Sequence, residues 1–198
     1  FMRTETHVRR MLEAIPGVKK ALVLGGGLVG FKAAYGLIRR GIKVTMLITS
    51  GYPLSLQVDE TAGNMILGEL QDHGLDVRVG TSVKAFKGDV AVTGARLSDG
   101  SSLRCDIVIV GKGVLPALSF VPRDAIAVDL GIVVNGHMQT SAAGIYAAGD
   151  VAESIDIARQ IRWVNAIWPE AFLQGHIAGM NMTGRPVGYK GRRRRDVL

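Results

Sequence analysis

The sequence is poor in cysteine, in aromatic residues and in long apolar runs, and each scarcity excludes a class of protein. Cys105 is the single cysteine among 198 residues, so no internal disulfide can form and a reducing, cytoplasmic compartment is expected. Aromatic residues make up only 6% of the chain against 26 glycines, which fits an α/β protein with tight turns better than a β-sandwich. No stretch approaches the roughly 20 apolar residues that span a bilayer, so we expect no membrane association. Arg3, Glu5, Arg9 and Arg10 crowd the start and give no sign of a secretory leader.

Positive charge is concentrated near the end of the chain. The net charge is +7, and residues 190–196 alone contribute five bases and one acid. A run such as Arg192 to Arg195 is able to bind nucleic acid, but no aromatic side chains interleave with it for base stacking. We therefore expect a solvated segment and no nucleic-acid partner.

Histidine and cysteine show none of the spacings that bind metals or build nucleophilic sites. The four histidines, His7, His73, His137 and His176, stand far apart and have no acids in pattern, so no metal is expected. Cys105 precedes an apolar strand and is interpreted as a small core thiol. No nucleophile, base and acid recur in a hydrolase pattern, so no side chain is assigned as catalytic.

Apolar patterning predicts alternating helices and strands in the first half of the chain. The strands carry continuous apolar runs, as expected for parallel strands covered on both faces, and glycine or proline ends most elements. We expect the stripe Met65, Ile66, Leu67 and Leu70 to face the core. The predicted elements are a helical connector within 1–17, strands at 20–24, 43–48 and 75–79, and helices at 28–40 and 58–73.

After residue 80 the pattern changes to short strands with hairpin turns at Gly88-Asp89 and Asp99-Gly100. Pro116 then interrupts the chain, and we place a domain boundary there. The predicted strands lie at 83–86, 90–97, 102–110, 131–134 and 145–148, and a last helix runs over 169–182.

A glycine-rich turn joins the first strand to the following helix. Its six residues are Gly25, Gly26, Gly27, Leu28, Val29 and Gly30, in the pattern G-x-G-x-x-G within a βαβ unit. Gly25 permits the tight turn, Gly27 lets a pyrophosphate approach the backbone, and Gly30 lets helix and strand pack closely. The N–H groups at the helix start then face the phosphates. The alternative is a closely packed turn without a ligand.

The region after the second strand does not specify the type of nicotinamide dinucleotide by charge. An acid about 20 residues after the glycines usually binds the ribose of NAD, and an arginine suits NADP. Here Thr49 and Ser50 stand instead, and either hydroxyl suits both cofactors. We lean towards NADH because nothing obvious would pair with a 2′-phosphate.

In this order, these motifs resemble the pyridine nucleotide-disulphide oxidoreductase superfamily, in particular its FAD-dependent NAD(P)H oxidoreductases related to rubredoxin reductase. The resemblance covers almost the whole chain and includes the stretch Thr140 to Asp150. It implies a Rossmann-like three-layer nicotinamide-binding domain with a β-meander insertion, followed by the C-terminal part of an FAD-binding Rossmann-like domain. The implied division is 1–17 connector, 18–116 NAD(P)-binding domain and 117–198 flavin domain.

The resemblance also assigns residues to the flavin and to the crossover between the domains. The Asp150 carboxylate would bind the ribityl chain of FAD, and Gly149 beside it would let the cofactor come close. The start of the last helix would stabilise negative charge on the reduced ring. The implied residues are Gly111 and Gly113 at the crossover, Gly149 and Asp150, and Pro169, Glu170 and Ala171.

Two departures from the family pattern limit what the resemblance implies. The first flavin βαβ unit and the usual C-terminal dimer domain are missing, so we expect a fragment with a complete nicotinamide site and half a flavin site. Many members have a glutamate two residues after the glycine turn, where this chain has Lys32. We also expect residues 117–198 to expose an apolar face, and the parent protein to be a homo-oligomer.

The predicted function is hydride transfer from NAD(P)H to FAD and onward to an unidentified acceptor, either a small molecule or a small redox protein. The cofactors supply the chemistry while the protein aligns them. The alternatives are a sensor or assembly module that binds dinucleotide without turnover, favoured by Lys32 and the missing ribose acid, and nucleic-acid binding through the arginine run.

Overall fold

A computed structural model describes residues 4–157 and 160–191 and divides the chain into two compact units, Phe1–Gly113 and Val114–Leu198. The arginine run at 192–195, proposed above as a solvated segment, lies outside the described residues. Within the described ranges, no helix is long and apolar enough to cross a membrane.

The first unit is built on a four-stranded parallel sheet. The elements are α1 (Glu5–Ala14), β1 (Lys20–Leu24), α2 (Leu28–Ile38), β2 (Lys43–Ile48), α3 (Glu60–Asp72), β3 (Asp76–Val79), β4 (Val83–Lys87), β5 (Gly94–Leu97), β6 (Ser102–Arg104) and β7 (Ile107–Val110). The strand order in the parallel sheet is β3-β2-β1-β7, and α2 and α3 form the crossovers that connect β1 to β2 and β2 to β3.

Strand β1 is covered on both faces, which explains its continuous apolar sequence. Ala21 and Val23 belong to a buried cluster shared with α2, whereas Leu22 and Leu24 belong to a second cluster shared with β5. The unit therefore has three layers, with helices on one face of the parallel sheet and an antiparallel meander on the other. The predicted α/β class and the meander insertion are confirmed.

The meander β4-β5-β6 corrects two predictions. The single strand expected over 102–110 is wrong, because β6 pairs with β5 whereas β7 joins the parallel sheet beside β1. The chain changes sheets at Asp106, whose Oδ2 accepts the backbone N–H groups of Lys19 and Lys20, both at 2.9 Å. The strand expected over 90–97 begins only at Gly94, and Val90 is exposed.

The helices of the first unit occupy the predicted positions but end earlier. Helix α3 starts at the cap Asp59, whose carboxylate accepts the N–H of Ala62, and it ends at Asp72. Met65 is 70% exposed, so its predicted place in the apolar stripe is wrong, while Leu67 and Leu70 pack on the core. The four apolar residues of the predicted stripe span a wide arc of the helix surface, and the sequence does not show which part of that arc packs on the sheet.

The second unit contains a three-stranded sheet and the last helix. The elements are β8 (Ile132–Val133), β9 (Ala152–Asp156), β10 (Ile161–Trp163) and α4 (Trp168–Met182), with a 3-10 turn at Gly149–Val151. Strand β9 pairs parallel to β8 and antiparallel to β10. The helix predicted over 169–182 is confirmed, whereas β9 and β10 were missed because their sequences mix charged and apolar residues.

The predicted strand over 145–148 is wrong. The segment forms an isolated bridge between Gln139 and Tyr146 and no ladder is described there, while the Ile145 N–H donates to the carbonyl of Ala142 in the preceding turn. The segment leads directly into the 3-10 turn at Gly149.

Candidate functional site

Three glycines of the first unit meet where the first strand ends. Gly25 has a φ of +110°, and a Cβ added there would lie 2.5 Å from the carbonyl oxygen of Gly111. A Cβ at Gly30 would lie 2.0 Å from the carbonyl oxygen of Gly25, and one at Gly111 would lie 3.0 Å from the nitrogen of Gly30. Side chains are therefore excluded by backbone at Gly25 and Gly30, and a side chain at Gly111 would require the backbone of Gly30 to shift.

Gly27 differs from these glycines because its missing side chain faces open space. A Cβ at Gly27 would meet nothing within 4 Å, and the φ of −95° is one that any residue adopts. Gly27 is the N-cap of α2 and forms no side-chain cap hydrogen bond. The first N–H groups of a helix lack intrahelical partners, so those of Leu28, Val29 and Gly30 are suited to bind an anion.

The end of β2 and the loop after it pack against the glycine turn at Gly26. The sequence did not predict this contact. A Cβ at Gly26 would lie 2.6 Å from Ile48, and Leu54 donates its N–H to the Gly26 carbonyl at 2.8 Å. Leu54 has a φ of +54°, and the neighbouring Pro53 is fully buried. A positive φ at leucine has no sequence signal, so this contact was not predictable.

The two predicted ribose-binding residues lie at the carboxyl end of β2. Thr49 is exposed, and the Ser50 hydroxyl donates to the carbonyl of Tyr52 at 2.8 Å. Both oxygens keep lone pairs that can accept from a ribose hydroxyl. The carboxyl edge of a parallel sheet is where dinucleotides bind in this type of fold, so the position is appropriate.

Lys32, Gly111 and Gly113 complete the predicted residues of this unit. Lys32 is exposed on α2. Gly111 packs against the glycine turn as described, and Gly113 adopts a φ of +86° with no atoms near its missing side chain. The close approach of Gly111 to Gly30 gives it a structural role, and the assignment of both glycines to a cofactor stays a prediction.

In the second unit, Gly149 and Asp150 form the 3-10 turn before β9. Gly149 is buried with a φ of +77°, and a Cβ there would lie 3.3 Å from that of Ala171. Its N–H donates to Gln174 Oε1 at 2.9 Å, and its carbonyl accepts the N–H of Ala152. Asp150 is exposed beside this fixed backbone, so its carboxylate is available to a ligand.

Glu170 was predicted to contact the flavin, but its side chain lies in a buried polar network. Glu170 Oε1 accepts the Tyr189 hydroxyl and lies 3.5 Å from Gln174 Nε2. The same nitrogen donates to Ser154 at 3.3 Å. Burial raises the pKa of Tyr189 to about 12, and the hydrogen bond to Glu170 also raises it. The sequence offered no signal that Tyr189 reaches Glu170.

The start of α4 carries unpaired donors that suit an anionic or carbonyl ligand. Pro169 occupies the first turn and Ala171 donates to Ile167, so the N–H groups before Ala171 lack intrahelical partners. Among the described residues, the side-chain nitrogen of Asn165 just before this helix is buried without a hydrogen-bond partner. An orphaned donor at this position fits a cofactor whose acceptors lie at the helix start.

Large apolar side chains are exposed in the second unit, and the prediction that they form one apolar face stays a prediction. Trp168 is 84% exposed and Phe172 is 73% exposed. The others are Val114, Leu115, Phe120, Leu130, Ile145, Ile155, Ile161, Leu173 and Met182.

The described residues provide no group of three or more histidine, cysteine or acidic side chains that would hold a metal ion. Cys105 is 1% exposed, and burial raises its thiol pKa, as does the nearby Asp106 carboxylate. A buried thiol with a raised pKa is a poor nucleophile, which agrees with its interpretation as a core residue.

A parallel sheet with a glycine turn at its carboxyl edge defines the first unit as a nucleotide-binding α/β fold. The chain belongs to the pyridine nucleotide-disulphide oxidoreductase family, whose model matches residues 1–171. Proteins of this family are NAD(P)H-dependent flavin oxidoreductases that bind FAD and NAD(P)H.

Two curated relatives show the range of proteins that contain a similar segment. The chain is 37% identical over 148 residues to a nitrite reductase [NAD(P)H] of Bacillus subtilis, a match that covers 75% of the chain and 18% of the relative. It is 33% identical over 190 residues to the NADH-dependent phenylglyoxylate dehydrogenase subunit epsilon of Aromatoleum evansii, covering 93% of the chain and 44% of the relative. The chain therefore spans less than half the length of these relatives.

Solved structures agree with the fold. The ferredoxin reductase for the CYP199A2 system from Rhodopseudomonas palustris superposes with a TM-score of 0.88 at 24% identity, over 96% of the chain and 48% of that structure. The reductase in a covalent putidaredoxin reductase–putidaredoxin complex gives a TM-score of 0.85 at 28% identity, over 93% of the chain and 45% of that structure. These similarities confirm the predicted Rossmann-like fold class.

Proposed function

We propose that this chain contributes the nicotinamide site and part of the flavin site of an oxidoreductase that passes hydride from NAD(P)H to FAD. The open position at Gly27 carries the proposal, because three neighbouring glycines exclude side chains by packing whereas Gly27 does not. A glycine without a packing reason, at the uncapped start of a helix, indicates that a ligand uses that space.

The residues of the first unit would bind and orient the dinucleotide. The N–H groups of Leu28, Val29 and Gly30 would donate to the pyrophosphate, helped by the α2 dipole. Thr49 and Ser50 would accept from the ribose hydroxyls at the carboxyl edge of the sheet. Neither carries a charge that selects between NADH and NADPH, and our preference for NADH rests on the lack of a basic residue among residues 48–52 of the sequence.

The residues of the second unit fit the flavin, which when bound would accept the hydride and deliver its electrons to an acceptor. Asp150 would accept hydrogen bonds from ribityl hydroxyls, because its carboxylate is exposed on a backbone turn fixed at Gly149. The unpaired donors at the start of α4 would lie towards the ring and stabilise negative charge there.

The electron acceptor, the location and the assembly of the complete protein also belong to this proposal. A small redox protein is one candidate acceptor, since a structurally similar reductase is known in complex with putidaredoxin. The single, buried cysteine favours a reducing, cytoplasmic location. The exposed apolar side chains of the second unit favour association with further protein, in line with the predicted homo-oligomer.

A binding module without turnover is the second candidate, favoured by Lys32 on α2 where many relatives have glutamate. A cation at this exposed position changes the charge near the start of α2 but not the packing of the glycine turn. The two candidates make the same prediction for dinucleotide binding and opposite predictions for flavin reduction.

The decisive experiment is an anaerobic absorbance scan of the complete protein that contains this chain, in the presence of FAD, before and after addition of NADH or NADPH. Loss of the oxidised-flavin absorbance with one nucleotide is the expected result and also establishes the nicotinamide preference. Nucleotide binding without bleaching would refute hydride transfer and favour the binding module. Absence of binding by either nucleotide would refute both candidates.

The flavin assignment is tested by Asp150→Ala against the matched control Asp124→Ala, another exposed aspartate of the second unit. We expect Asp150→Ala to weaken FAD binding about tenfold, because a carboxylate hydrogen bond contributes about 1.5 to 3 kcal/mol. Equal FAD affinities for the two variants would contradict the role of Asp150.

A further inference from the structure

We propose that Gln174 is a positioning residue for the flavin, held in one orientation by Glu170 and Tyr189 so that it fixes the turn that presents Asp150. The inference rests on the proposed function, since it concerns the same flavin site. It adds three residues that act through Gly149 and Asp150.

Gln174 controls the turn through a single backbone group. The side chain is 1% exposed, and its Oε1 accepts the N–H of Gly149 at 2.9 Å. The Gly149 carbonyl is held from the other side by the N–H of Ala152. Both peptide groups of Gly149 are therefore paired, and the conformation of the backbone leading to Asp150 has little freedom.

The orientation of the Gln174 amide is decided by its neighbours. An amide accepts through oxygen and donates through nitrogen, so its Nε2 must face acceptors for its Oε1 to face Gly149. The acceptors are Ser154 Oγ at 3.3 Å and Glu170 Oε1 at 3.5 Å. If the amide were reversed, two N–H donors would face the Gly149 N–H, which is repulsive.

Glu170 and Tyr189 complete this arrangement. Glu170 is 6% exposed and Tyr189 is 8% exposed, and the tyrosine hydroxyl donates to the same Oε1 that faces Gln174. Burial and the bond to Glu170 keep the tyrosine protonated, with a pKa of about 12. Tyr189 follows α4 in the chain, so it connects the segment beyond the helix to the helix start.

The alternative is that the network only stabilises the unit. A purely structural network would affect unfolding but would leave the flavin affinity of the folded protein unchanged. The nicotinamide site lies in the other unit, so NADH affinity reports only that the first unit is folded. Hydrogen exchange at amides of the second unit other than Gly149 reports whether that unit is folded. FAD affinity and this exchange, measured together, therefore separate positioning from general destabilisation.

The test compares Gln174→Met with His176→Ala, an exposed residue of the same helix. Three quantities are measured on the complete protein that contains this chain: the dissociation constant for FAD, the dissociation constant for NADH, and hydrogen exchange by NMR at the amides of the second unit, including Gly149. We expect Gln174→Met to expose the Gly149 amide and raise the FAD dissociation constant about fivefold, the ratio for one hydrogen bond of about 1 kcal/mol. NADH affinity should not change, and His176→Ala should resemble the wild type in all three.

A reciprocal exchange supplies the rescue. In the double variant Glu170→Gln and Gln174→Glu, the new amide donates to the new carboxylate, which still accepts the Gly149 N–H, and Tyr189 still finds an acceptor. We expect the double variant to restore FAD affinity and Gly149 protection. If Gln174→Met fails to fold, Tyr189→Phe is the milder variant, expected to shift both quantities in the same direction by about twofold.

Three results would overturn the proposal. If Gln174→Met exposes the Gly149 amide but leaves FAD affinity unchanged, the network has a structural role only. If the folded double variant does not recover FAD affinity, the hydrogen bonds between positions 170 and 174 do not determine FAD binding. Absence of FAD binding by the wild type would refute the flavin site itself, and the positioning role with it.

Discussion

Alanine substitutions at Gly30 and Gly27 should separate the packing role of the glycine turn from its ligand role. The two glycines are three residues apart, and each substitution adds one methyl group. At Gly30 the new Cβ would lie 2.0 Å from the carbonyl oxygen of Gly25, about 1 Å closer than Cβ atoms are found to approach. At Gly27 it would meet nothing within 4 Å.

The expected loss of stability for Gly30→Ala arises because the backbone carbonyl of Gly25 would have to move. The conflicting atom is backbone, held by the bond from the Gly25 N–H to Leu47, so it cannot swing away as a side chain would. Overpacking of this kind costs about 1 to 3 kcal/mol. The intrinsic helical preference for alanine returns about 1 kcal/mol at most. We therefore expect Gly30→Ala to lower the free energy of unfolding by about 1 to 2 kcal/mol.

Gly27→Ala should behave in the opposite way. Its φ of −95° suits alanine and no atom opposes the methyl group, so the free energy of unfolding should fall by no more than about 1 kcal/mol, the cost of alanine in place of glycine at an N-cap. The methyl group would occupy space that a pyrophosphate needs to reach the N–H groups of α2. Loss of one charge-assisted hydrogen bond predicts nicotinamide dinucleotide affinity reduced about tenfold.

Urea denaturation and titration with NADH, applied to the wild type, Gly30→Ala and Gly27→Ala, measure the stability and the dinucleotide affinity of each protein. Wild-type stability for Gly30→Ala would refute the packing derived from the glycine contacts. Wild-type NADH affinity for Gly27→Ala would refute the placement of the dinucleotide at the start of α2. A marked loss of stability for Gly27→Ala would show that its side of the turn is not open.

Three further outcomes are expected. The pKa of Asp106 is lowered by its backbone hydrogen bonds, so its stabilising effect is present above the unfolded value of 3.8 and is lost on acidification. Asp106→Asn should flatten the fall of stability below pH 4, measured by urea denaturation across pH. The pKa of Tyr189 is raised from 10.0 to about 12, so its contribution is complete below pH 10 and disappears as the pH rises through 12. Unfolding midpoints of Tyr189→Phe should be less sensitive to alkali than those of the wild type, and equal sensitivity would contradict the buried hydroxyl. Leu22→Ala should cost about 3 kcal/mol because the side chain is 0% exposed, whereas Met65→Ala at 70% exposure should change stability by less than about 0.5 kcal/mol, as checked by thermal unfolding.

The first unit was more predictable than the second because its sequence patterns are local. Strands β1 and β2 were predicted with the bounds that the structure has, since parallel strands buried on both faces need uninterrupted apolar runs. The glycine turn was predictable for a similar reason, since G-x-G-x-x-G between strand and helix reports local backbone geometry. The charged residues of β9, Glu153 and Asp156, hid a strand whose side chains are buried by distant partners.

The sequence predicted which residues form the candidate site. It did not predict the contacts with other residues that fix their positions. Nothing in the sequence indicates that Leu54 binds the glycine turn with a positive φ, or that Gln174 accepts the N–H of Gly149. Glu170 shows the same limit, because its position at a helix start suggested a ligand contact while its side chain is buried against Tyr189.

The sequence by itself determined the parallel α/β order, the glycine turn and the family to which the chain belongs, because these depend on periodicity and on residues that are close in the chain. Only the tertiary structure decided which glycine is excluded by packing and which faces open space. At Gly25 that distinction depends on Gly111, which lies far from the turn in sequence and reaches it because β7 pairs beside β1. The buried network at Gln174 was decided in the same way, by residues that meet only when α4 packs against the turn before β9.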